Sequence, residues 1–299
     1  RTLAKIGEIQ RSEEVCAAME DGMWKNPATV GHIETLTQRG VMIAHPQSGA
    51  LASGRSGAGR MMEPDALLQT ISSALTPTDW VGRNVLVTAG PTRESLDPVR
   101  FLSNHSSGKM GYAIAQRAAA RGATVHLVAG PTHLPTPVGV ELTRIETTNE
   151  LLTACESIVS QCDTLIMAAA PGDYRPKTTS DQKLKKGPGE MTLELESNPD
   201  VLLTLNSKRD HCFTVGFAAE SENILENAQE KLKRKDLALI VANDITAPNA
   251  GFGGDTNTVT LLSPQRSSIQ LPTLSASEKL AIAASVSVGC CGMITTYNR

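Results

Sequence analysis

The sequence predicts an α/β protein with a Rossmann-like, mostly parallel sheet that carries helices on both faces. From residue 84 onward, apolar strand patterns alternate with helix patterns. Continuous apolar runs such as Asn84–Ala89 (NVLVTA) are typical of strands that are buried on both sides. Alternation of this kind favours parallel strand pairing. A small antiparallel hairpin is expected near the C-terminus, around the turn SPQR.

The elements can be assigned in chain order. Strand Asn84–Ala89 ends at Gly90-Pro91, and helix Gly108–Arg121 has apolar residues at helical spacing before Gly122. The further predicted elements are strand Thr124–Ala129, helix Asn149–Gln161, strand Thr164–Ala169, helix Pro199–Ser207, strand Phe213–Ala218, helix Ile224–Lys235, strand Leu237–Ala242 and the hairpin strands Thr256–Leu262 and Ser268–Leu271. In such sheets ligands bind beyond the carboxyl ends of the strands, near a topological switch point.

Composition divides the chain into regions. Residues 1–75 are rich in Gly, Ser, Met and Pro, and residues 76–83 have the character of a linker. The α/β pattern is expected to form one domain over residues 84–285. The tail 286–299 has no clear helical period.

Charge and composition exclude several classes of protein. The chain has 28 Lys and Arg against 31 Asp and Glu and only 3% aromatic residues, which disfavours nucleic-acid binding. It has no membrane-length apolar run and no N-terminal signal pattern, so we expect a cytoplasmic protein without a membrane partner. Six cysteines lack CxxC spacing, which predicts reduced thiols rather than disulfides or a zinc site.

One candidate phosphate site precedes the first helix of the domain. Ser106, Ser107, Gly108 and Lys109 could offer backbone N–H groups, hydroxyls and a cation to a phosphate. The spacing does not match a Walker A loop, and no strand is followed by GxGxxG. The alternative is that Ser106 or Ser107 simply caps the helix.

A second candidate lies where strand Thr164–Ala169 ends. Small residues there would let a ligand approach the backbone, and Asp173 could accept a hydrogen bond from a base or a ribose. The alternative is a Pro-Gly turn with solvated charges.

Further polar groups follow later strands. Lys183, Lys231 and Lys235 belong to basic runs, which are usually solvated but would also suit a triphosphate. Asn198-Pro199-Asp200 is typical of a helix start with free N–H groups. Phe217, at a strand end, could stack on a base or belong to the core.

Together these stretches resemble the phosphopantothenate-cysteine ligase half of the bacterial bifunctional coenzyme A biosynthesis flavoprotein. The resemblance rests on GPTRESLDPVRFLSNHSSGKMGYAIA, DYRPK with KLKK, NPDVL, VGFAAES and VANDI, in that order. It implies that CTP activates 4'-phosphopantothenate as an acyl-cytidylate with release of pyrophosphate, and that L-cysteine then displaces CMP. It also implies Mg²⁺ or Mn²⁺ and a homodimer.

The resemblance assigns roles to single residues. Asn104 would hold the acyl-nucleotide intermediate, with Ala169 and Ala170 lining the same pocket. The charge of the flap residue Lys183 would offset the charge that develops at the α-phosphate. The implied nucleotide-binding residues are Ser106, Ser107, Gly108, Asp173, Lys183, Pro199, Asp200, Val201, Leu202, Phe217, Lys231 and Lys235. No metal ligands are assigned.

Residues 1–75 resemble the end of the flavin-dependent phosphopantothenoylcysteine decarboxylase, with departures. Glu20 stands where that family has a substrate-binding Asn, and Ser53 where it has a proton-donating Cys. A hydroxyl is a far weaker acid than a thiol, and the half that makes most of the flavin site is missing. We therefore expect neither decarboxylase activity nor bound FMN.

Two departures concern the ligase part, and they leave alternatives open. Pro171-Gly172 replaces a Val-Ala type pair, and the tail replaces an amphipathic helix. The leading hypothesis is a CTP-dependent ligase. One alternative is a remnant that folds and binds nucleotide without turnover, and another is a dinucleotide-dependent oxidoreductase, against which the missing GxGxxG weighs.

Overall fold

The computed structural model describes residues 14–74, 78–187, 189–209, 212–220, 222–244, 259–264 and 266–271. The chain folds as two compact units, residues 1–79 and residues 80–299. The predicted tail 286–299 and the start of the predicted hairpin, 256–258, lie outside the described residues.

The first unit consists of short elements. They are β1 (Glu14–Cys16), α1 (Asp21–Trp24), α2 (Pro27–Gln38), β2 (Met42–Ala44), β3 (Gln47–Ala50), β4 (Ser56–Arg60) and α3 (Pro64–Ala74). β1 pairs in parallel with β2, and β3 pairs antiparallel with β4. The side chain of Asn26 caps α2 by accepting a hydrogen bond from the backbone N–H of Ala28. Among the described residues of the first unit, the buried apolar side chains are Ala17 and Ala44, so the core of this unit is small.

The second unit contains the large sheet. Its elements are β5 (Asn84–Ala89), β6 (Arg93–Ser95), β7 (Phe101–Ser103), α4 (Lys109–Ala120), β8 (Thr124–Ala129), β9 (Val140–Arg144), α5 (Thr148–Ile158), β10 (Thr164–Met167), β11 (Tyr174–Pro176), β12 (Leu195–Ser197), α6 (Val201–Leu205), β13 (Phe213–Glu220), α7 (Ile224–Arg234), β14 (Leu239–Asp244), β15 (Val259–Ser263) and β16 (Arg266–Gln270).

The strand order confirms the predicted fold class. The eight strands lie in the order β16-β15-β14-β13-β10-β5-β8-β9, and all pairs from β14 to β9 are parallel. Crossovers therefore run outward in both directions from the neighbouring strands β5 and β10, as in the doubly wound dinucleotide-binding folds. β15 and β16 add the expected antiparallel hairpin at one edge.

Helices cover both faces because successive side chains of each strand point to opposite sides. Val85 and Val87 of β5 pack in one core with Ile114 of α4. Leu86 packs in the other core, with residues of α5, α6 and α7. The described residues include no helix of the length and apolar character needed to cross a membrane.

Several element boundaries differ from the predictions. β10 ends at Met167 rather than Ala169, because the N–H of Ala169 donates to the side-chain hydroxyl of Thr88 in β5 instead of to a backbone carbonyl oxygen of that strand. α6 begins at Val201 because Asp200 is its N-cap. β9, β6–β7 and β11–β12 were not predicted, since these short strands are largely exposed and lack an apolar period.

The contact between α4 and β5 depends on Gly111. A Cβ atom on Gly111 would lie 2.5 Å from the Ala89 Cβ and 2.8 Å from the carbonyl oxygen of Thr88. Both neighbours belong to a buried strand in the middle of the sheet, so neither can move away cheaply.

Gly111→Ala is therefore expected to lower the free energy of unfolding by about 1–3 kcal/mol through overpacking. Urea unfolding of the purified protein measures this change. Gly187→Ala is the matched control, because nothing lies within 4 Å of a Cβ there. Equal stability of the two variants would contradict the proposed close contact.

Candidate active site

A cleft lies beyond the carboxyl ends of β5, β10, β13 and β14, at the switch point of the sheet. Its cavity volume is about 370 Å³. Most of the residues assigned from the sequence line it: Asn104, Ser106, Ser107, Gly108, Ala169, Ala170, Asp173, Asp200, Val201, Leu202, Phe217, Lys231 and Lys235. Lys183 and Pro199 are not among the lining residues.

Sequence reasoning missed other lining residues. They are Met110, Gly111, Met167, Ala168, Pro171, Ala218, Ala219 and Val259, whereas the sequence had pointed to two further lining residues, Lys109 of the candidate phosphate site and Asn243 of the VANDI stretch. Most of them adjoin a predicted residue in the same loop or strand. Val259 comes from the antiparallel strand β15, and only the pairing of β15 with β14 brings it to the cleft.

The N-terminus of α4 forms one wall of the cleft. Its N-cap is Gly108, in a left-handed conformation with φ of 75° and without a side-chain cap. The N-cap position is thus occupied by Gly108 and not, as the alternative interpretation had it, by Ser106 or Ser107; the Ser106 hydroxyl accepts from the Gly108 N–H at 3.4 Å. The positive end of the helix dipole lies at the cleft and favours an anion there.

Three glycines around this wall lie where glycines occur in the strand-to-helix turn of doubly wound folds. Gly90 turns the chain after β5 with φ of 78°, Gly108 opens α4, and Gly111 allows the close helix–strand contact. The sequence does not show the motif because residues 91–107, including hairpin β6–β7, separate the first glycine from the other two.

Asn104 joins two walls of the cleft. Its Nδ2 donates to the carbonyl oxygens of Ala170 at 3.1 Å and Pro171 at 3.0 Å. Because an amide nitrogen has two hydrogens, these bonds use its donor capacity and leave its Oδ1 to accept from a ligand.

The loop after β10 carries Asp173, whose side chain is exposed at the cleft. Within this loop, the substituted position Gly172 has room for a side chain. The nearest atoms to a Cβ there are the Tyr174 carbonyl oxygen at 3.4 Å and the Glu94 Cγ at 3.6 Å. These are ordinary contacts, so an alanine would fit the same backbone.

Two lysines of the basic wall have protein partners. The Nζ of Lys231 donates to the Phe217 carbonyl oxygen at 2.7 Å. The Nζ of Lys235, whose side chain is 14% exposed, lies 3.0 Å from a carboxylate oxygen of Asp200. That carboxylate also caps α6. The ammonium groups are thus held beside the cleft before any ligand binds.

Arg209 anchors the end of α7. Its buried guanidinium donates to the carbonyl oxygens of Lys235 and Asp236 and to the hydroxyl of Thr214 in β13. A cation at a helix C-terminus is favoured by the helix dipole. This contact fixes α7, and with it the two lysines, relative to the sheet.

Lys183 lies on the exposed segment between β11 and β12, here called the flap (residues 177–187 and 189–194). The flap is tied to hairpin β6–β7. The N–H of Leu184 donates to the Asp97 carboxylate at 3.0 Å, and the Arg100 guanidinium donates to the Leu184 carbonyl oxygen at 2.8 Å. The N–H of Ser180 donates to the carbonyl oxygen of Leu96.

Asp97 is buried and strongly hydrogen-bonded. The Arg100 guanidinium, followed by the backbone N–H groups of Val99, Leu184 and Arg100, holds the pKa of this carboxyl well below its ordinary value. The ionised carboxylate thus joins the hairpin to the flap.

The three cysteines of this unit that are described lie away from the cleft. Burial raises the pKa of Cys155 to about 12, of Cys162 to about 11 and of Cys212 to about 12. They are free thiols in the apolar core rather than nucleophiles.

The residues described contain no group of three or more His, Cys, Asp or Glu side chains that could hold a metal ion. The cleft itself has the carboxylates of Asp173 and Asp200, and the second is already paired with Lys235. Among the described residues, the cleft thus offers one carboxylate that is not paired with a lysine, that of Asp173.

Comparison with known proteins identifies relatives of both units. Residues 80–288 match the family described as DNA/pantothenate metabolism flavoprotein C-terminal domain, and residues 2–76 match the flavoprotein family. The Coenzyme A biosynthesis bifunctional protein CoaBC of Vibrio vulnificus is 43% identical over 254 residues, which cover 84% of this chain and 63% of that protein.

Two further relatives agree. The CoaBC protein of Escherichia coli is 43% identical over 252 residues, covering 83% of this chain and 62% of its own length. A crystal structure of the C-terminal domain of a CoaBC protein superposes with a TM-score of 0.63 at 38% identity, covering 74% of this chain and all of that one. The chain thus spans somewhat less than two thirds of the length of these two CoaBC proteins. The resemblance to the coenzyme A biosynthesis flavoprotein, inferred from the motifs, is confirmed.

The bond network of Asp97 predicts a pH effect on stability. A lowered folded pKa means that the ionised carboxyl stabilises the fold above the ordinary value of 3.8, and that this contribution is lost as the pH falls below it. We expect Asp97→Asn to flatten the fall of the urea midpoint between pH 5 and pH 3. Asp181→Asn, an exposed neighbour in the flap, is the control and should retain the steep fall. Parallel curves for Asp97→Asn and wild type would contradict this role.

Proposed function

Since this chain belongs to the family of the DNA/pantothenate metabolism flavoprotein C-terminal domain, we propose that it is a ligase of coenzyme A biosynthesis. It would join 4'-phosphopantothenate to L-cysteine with CTP as co-substrate. The observation that carries the proposal is the cleft at the switch point, which combines the uncapped N-terminus of α4, Asn104 and the fixed lysines Lys231 and Lys235. This combination suits a nucleoside triphosphate beside a second anionic substrate.

In the first step, a carboxylate oxygen of 4'-phosphopantothenate attacks the α-phosphorus of CTP. An acyl–O–P bond forms and the bond to the β-phosphate oxygen breaks, which releases pyrophosphate. Negative charge increases on the α-phosphate oxygens. The first-turn N–H groups of α4 and the Lys183 ammonium are the groups proposed to stabilise it.

Lys183 requires movement of the flap in this mechanism. Its side chain is exposed and outside the cleft lining, so the flap has to close over the bound triphosphate. The N–H and carbonyl groups of Leu184, next to Lys183, are bonded to Asp97 and Arg100, so closure would require these bonds to break or the long Lys183 side chain to extend towards the cleft.

In the second step, the amine of L-cysteine attacks the acyl carbon. The C–N bond forms, CMP leaves with the shared oxygen, and the amine loses a proton. Asn104 is proposed to hold the intermediate through its free Oδ1, because its Nδ2 is occupied by the loop carbonyls.

The nucleotide would lie between three elements. Asp173 is proposed to bind the base or ribose, and Phe217 to pack against the base. Pro199, Asp200, Val201 and Leu202 bring the start of α6 towards the phosphates, with Ser106 and Ser107 on the opposite wall. Mg²⁺ or Mn²⁺ would enter with the triphosphate rather than occupy a site built by the chain.

The first unit is proposed to lack decarboxylase activity and bound FMN. The Ser53 hydroxyl donates to the Glu20 carboxylate at 2.8 Å, and the Ser53 N–H donates to the same group. The two residues that depart from the decarboxylase pattern are therefore hydrogen-bonded to each other. The cytoplasm is the proposed location, in keeping with the free thiols of Cys16, Cys155, Cys162 and Cys212.

The test is pyrophosphate release from CTP, ATP and GTP with 4'-phosphopantothenate, with and without cysteine. Release from CTP alone, dependent on phosphopantothenate, would support the proposal. No release from a folded protein would overturn it in favour of a remnant that binds nucleotide without turnover.

Lys183→Gln is expected to lower the rate of acyl-cytidylate formation at least about 100-fold, because it removes a charge that acts in the transition state. Single-turnover formation of the intermediate measures this rate, and CTP binding should change little. Lys185→Gln is the matched control on the same flap and should stay within about threefold of wild type. A near-normal rate for Lys183→Gln would remove Lys183 from the mechanism.

The proposed homodimer has a candidate surface on two hairpins. Val99 and Phe101 on β6–β7, and Tyr174 and Leu195 on β11–β12, are exposed apolar side chains, and β6 lies beside β11. Phe101→Glu is expected to shift the sedimentation equilibrium from dimer to monomer. Val138→Glu, at an apolar position elsewhere that is still more exposed, should remain dimeric. A dimer in both variants would contradict this surface.

A further inference from the structure

A chain of buried polar groups lies behind the loop Ala169–Asp173, outside the cleft lining. It runs from Glu94 through Thr148 and Thr92 to the backbone of Gly172. The residues Glu94, Thr148 and Thr92 are 4%, 0% and 1% exposed. Because water does not reach these groups, their hydrogen bonds to one another have to satisfy them.

The donors and acceptors of this chain have one consistent order. Glu94 Oε1 accepts from both the N–H and the hydroxyl of Thr148, at 2.9 and 2.7 Å. A hydroxyl has one hydrogen, so the Thr148 oxygen accepts from the Thr92 hydroxyl, 3.0 Å away. The Thr92 oxygen in turn accepts from the N–H of Gly172 at 2.9 Å. Every hydrogen of the chain thus points towards Glu94.

Asn198 holds the same loop from a second side. Its Nδ2 donates to the Gly172 carbonyl oxygen at 2.8 Å and to the Thr148 hydroxyl at 3.3 Å. Its backbone N–H donates to the Asp173 carbonyl oxygen at 2.8 Å. Both peptide groups of Gly172 and the carbonyl of Asp173 are therefore bound to one network.

This network matters most at Gly172 because a glycine restrains its backbone least. The loop carries Ala169, Ala170 and Asp173 into the cleft. The bonds of Asn104 hold Ala170 and Pro171. Without the network, the backbone of the next two residues, Gly172 and Asp173, would have fewer restraints.

We propose that Glu94 is a positioning residue that sets the shape of the nucleotide-binding wall through Thr148, Thr92 and Asn198. Its carboxylate touches no residue of the cleft lining by a hydrogen bond in the described structure, and it acts by orienting the hydroxyls that hold Gly172. The inference rests on the proposed function for the identity of the ligand. The claim that Glu94 restrains the backbone of the loop does not depend on which ligand binds.

The test compares Glu94→Gln with wild type by hydrogen exchange of the peptide covering residues 168–174 and by kinetics with CTP. A neutral amide is a weaker acceptor than a carboxylate, and its NH₂ group is a competing donor. We expect loop amide exchange at least about tenfold faster, and a KM for CTP about tenfold higher with kcat within about threefold.

Glu150→Gln is the matched control. Glu150 is also at the N-terminus of α5, where it accepts from the N–H groups of Glu146 and Thr147, but it has no bond to the loop. It should leave loop exchange and the KM for CTP unchanged. Equal effects of the two substitutions would mean that Glu94 only stabilises the helix, and would overturn the proposal.

A second pair of variants addresses the possibility that Glu94→Gln does not fold. Thr92→Val keeps the shape and removes the acceptor of the Gly172 N–H, so it should reproduce both effects. Thr92→Ser keeps the hydroxyl and should restore wild-type values. Unchanged loop exchange in folded Thr92→Val would overturn the proposal. If wild type releases no pyrophosphate, the proposed function fails, while the exchange results still decide the role of the network.

Discussion

The close crossing of α4 over β5 is the contact on which the rest of the second unit depends. It is possible because Gly111 leaves no side chain between the helix and the carbonyl of Thr88. Gly90 and Gly108 approach each other for the same reason, with Thr132 packed where their side chains would be. This close packing brings the N-terminus of α4, which has no side-chain cap, to the switch point between β5 and β10. A helix dipole directed into a cleft is thus a consequence of packing, and not of any charged residue.

The loops around this cleft are held largely by side-chain hydrogen bonds, together with a backbone bond from the Ala170 N–H to the Gly90 carbonyl oxygen at 2.9 Å. Asn104 donates to the carbonyls of Ala170 and Pro171, and Asn198 donates to the carbonyls of the next two residues, Gly172 and Asp173. Asp97 joins the flap to hairpin β6–β7 in a similar way. The flap is therefore tied to the hairpin at Ser180 and Leu184, and its described residues after Leu184 are exposed.

Much of the architecture followed from pattern alone. The buried strands β5, β8, β10, β13 and β14 are short apolar runs, which could be recognised because both their faces are covered. The exposed strands β6, β7, β9, β11 and β12 have no such pattern, since their pairing depends on neighbours that the local sequence does not encode. The end of β10 was misplaced because a hydroxyl, Thr88, takes the N–H that would continue the ladder.

By itself, the sequence determined the fold class, the order of the main elements and most of the residues that line the cleft, because residue types after each strand end must meet at one edge of a parallel sheet. Only the tertiary structure decided how these residues are used. It joined Gly90 to Gly108 and Gly111 across an intervening hairpin, paired Lys235 with Asp200, left Lys183 outside the cleft and connected Glu94 to Gly172. Those outcomes depend on distances between residues far apart in the chain, which hydrogen-bond geometry and packing set only once the sheet is assembled.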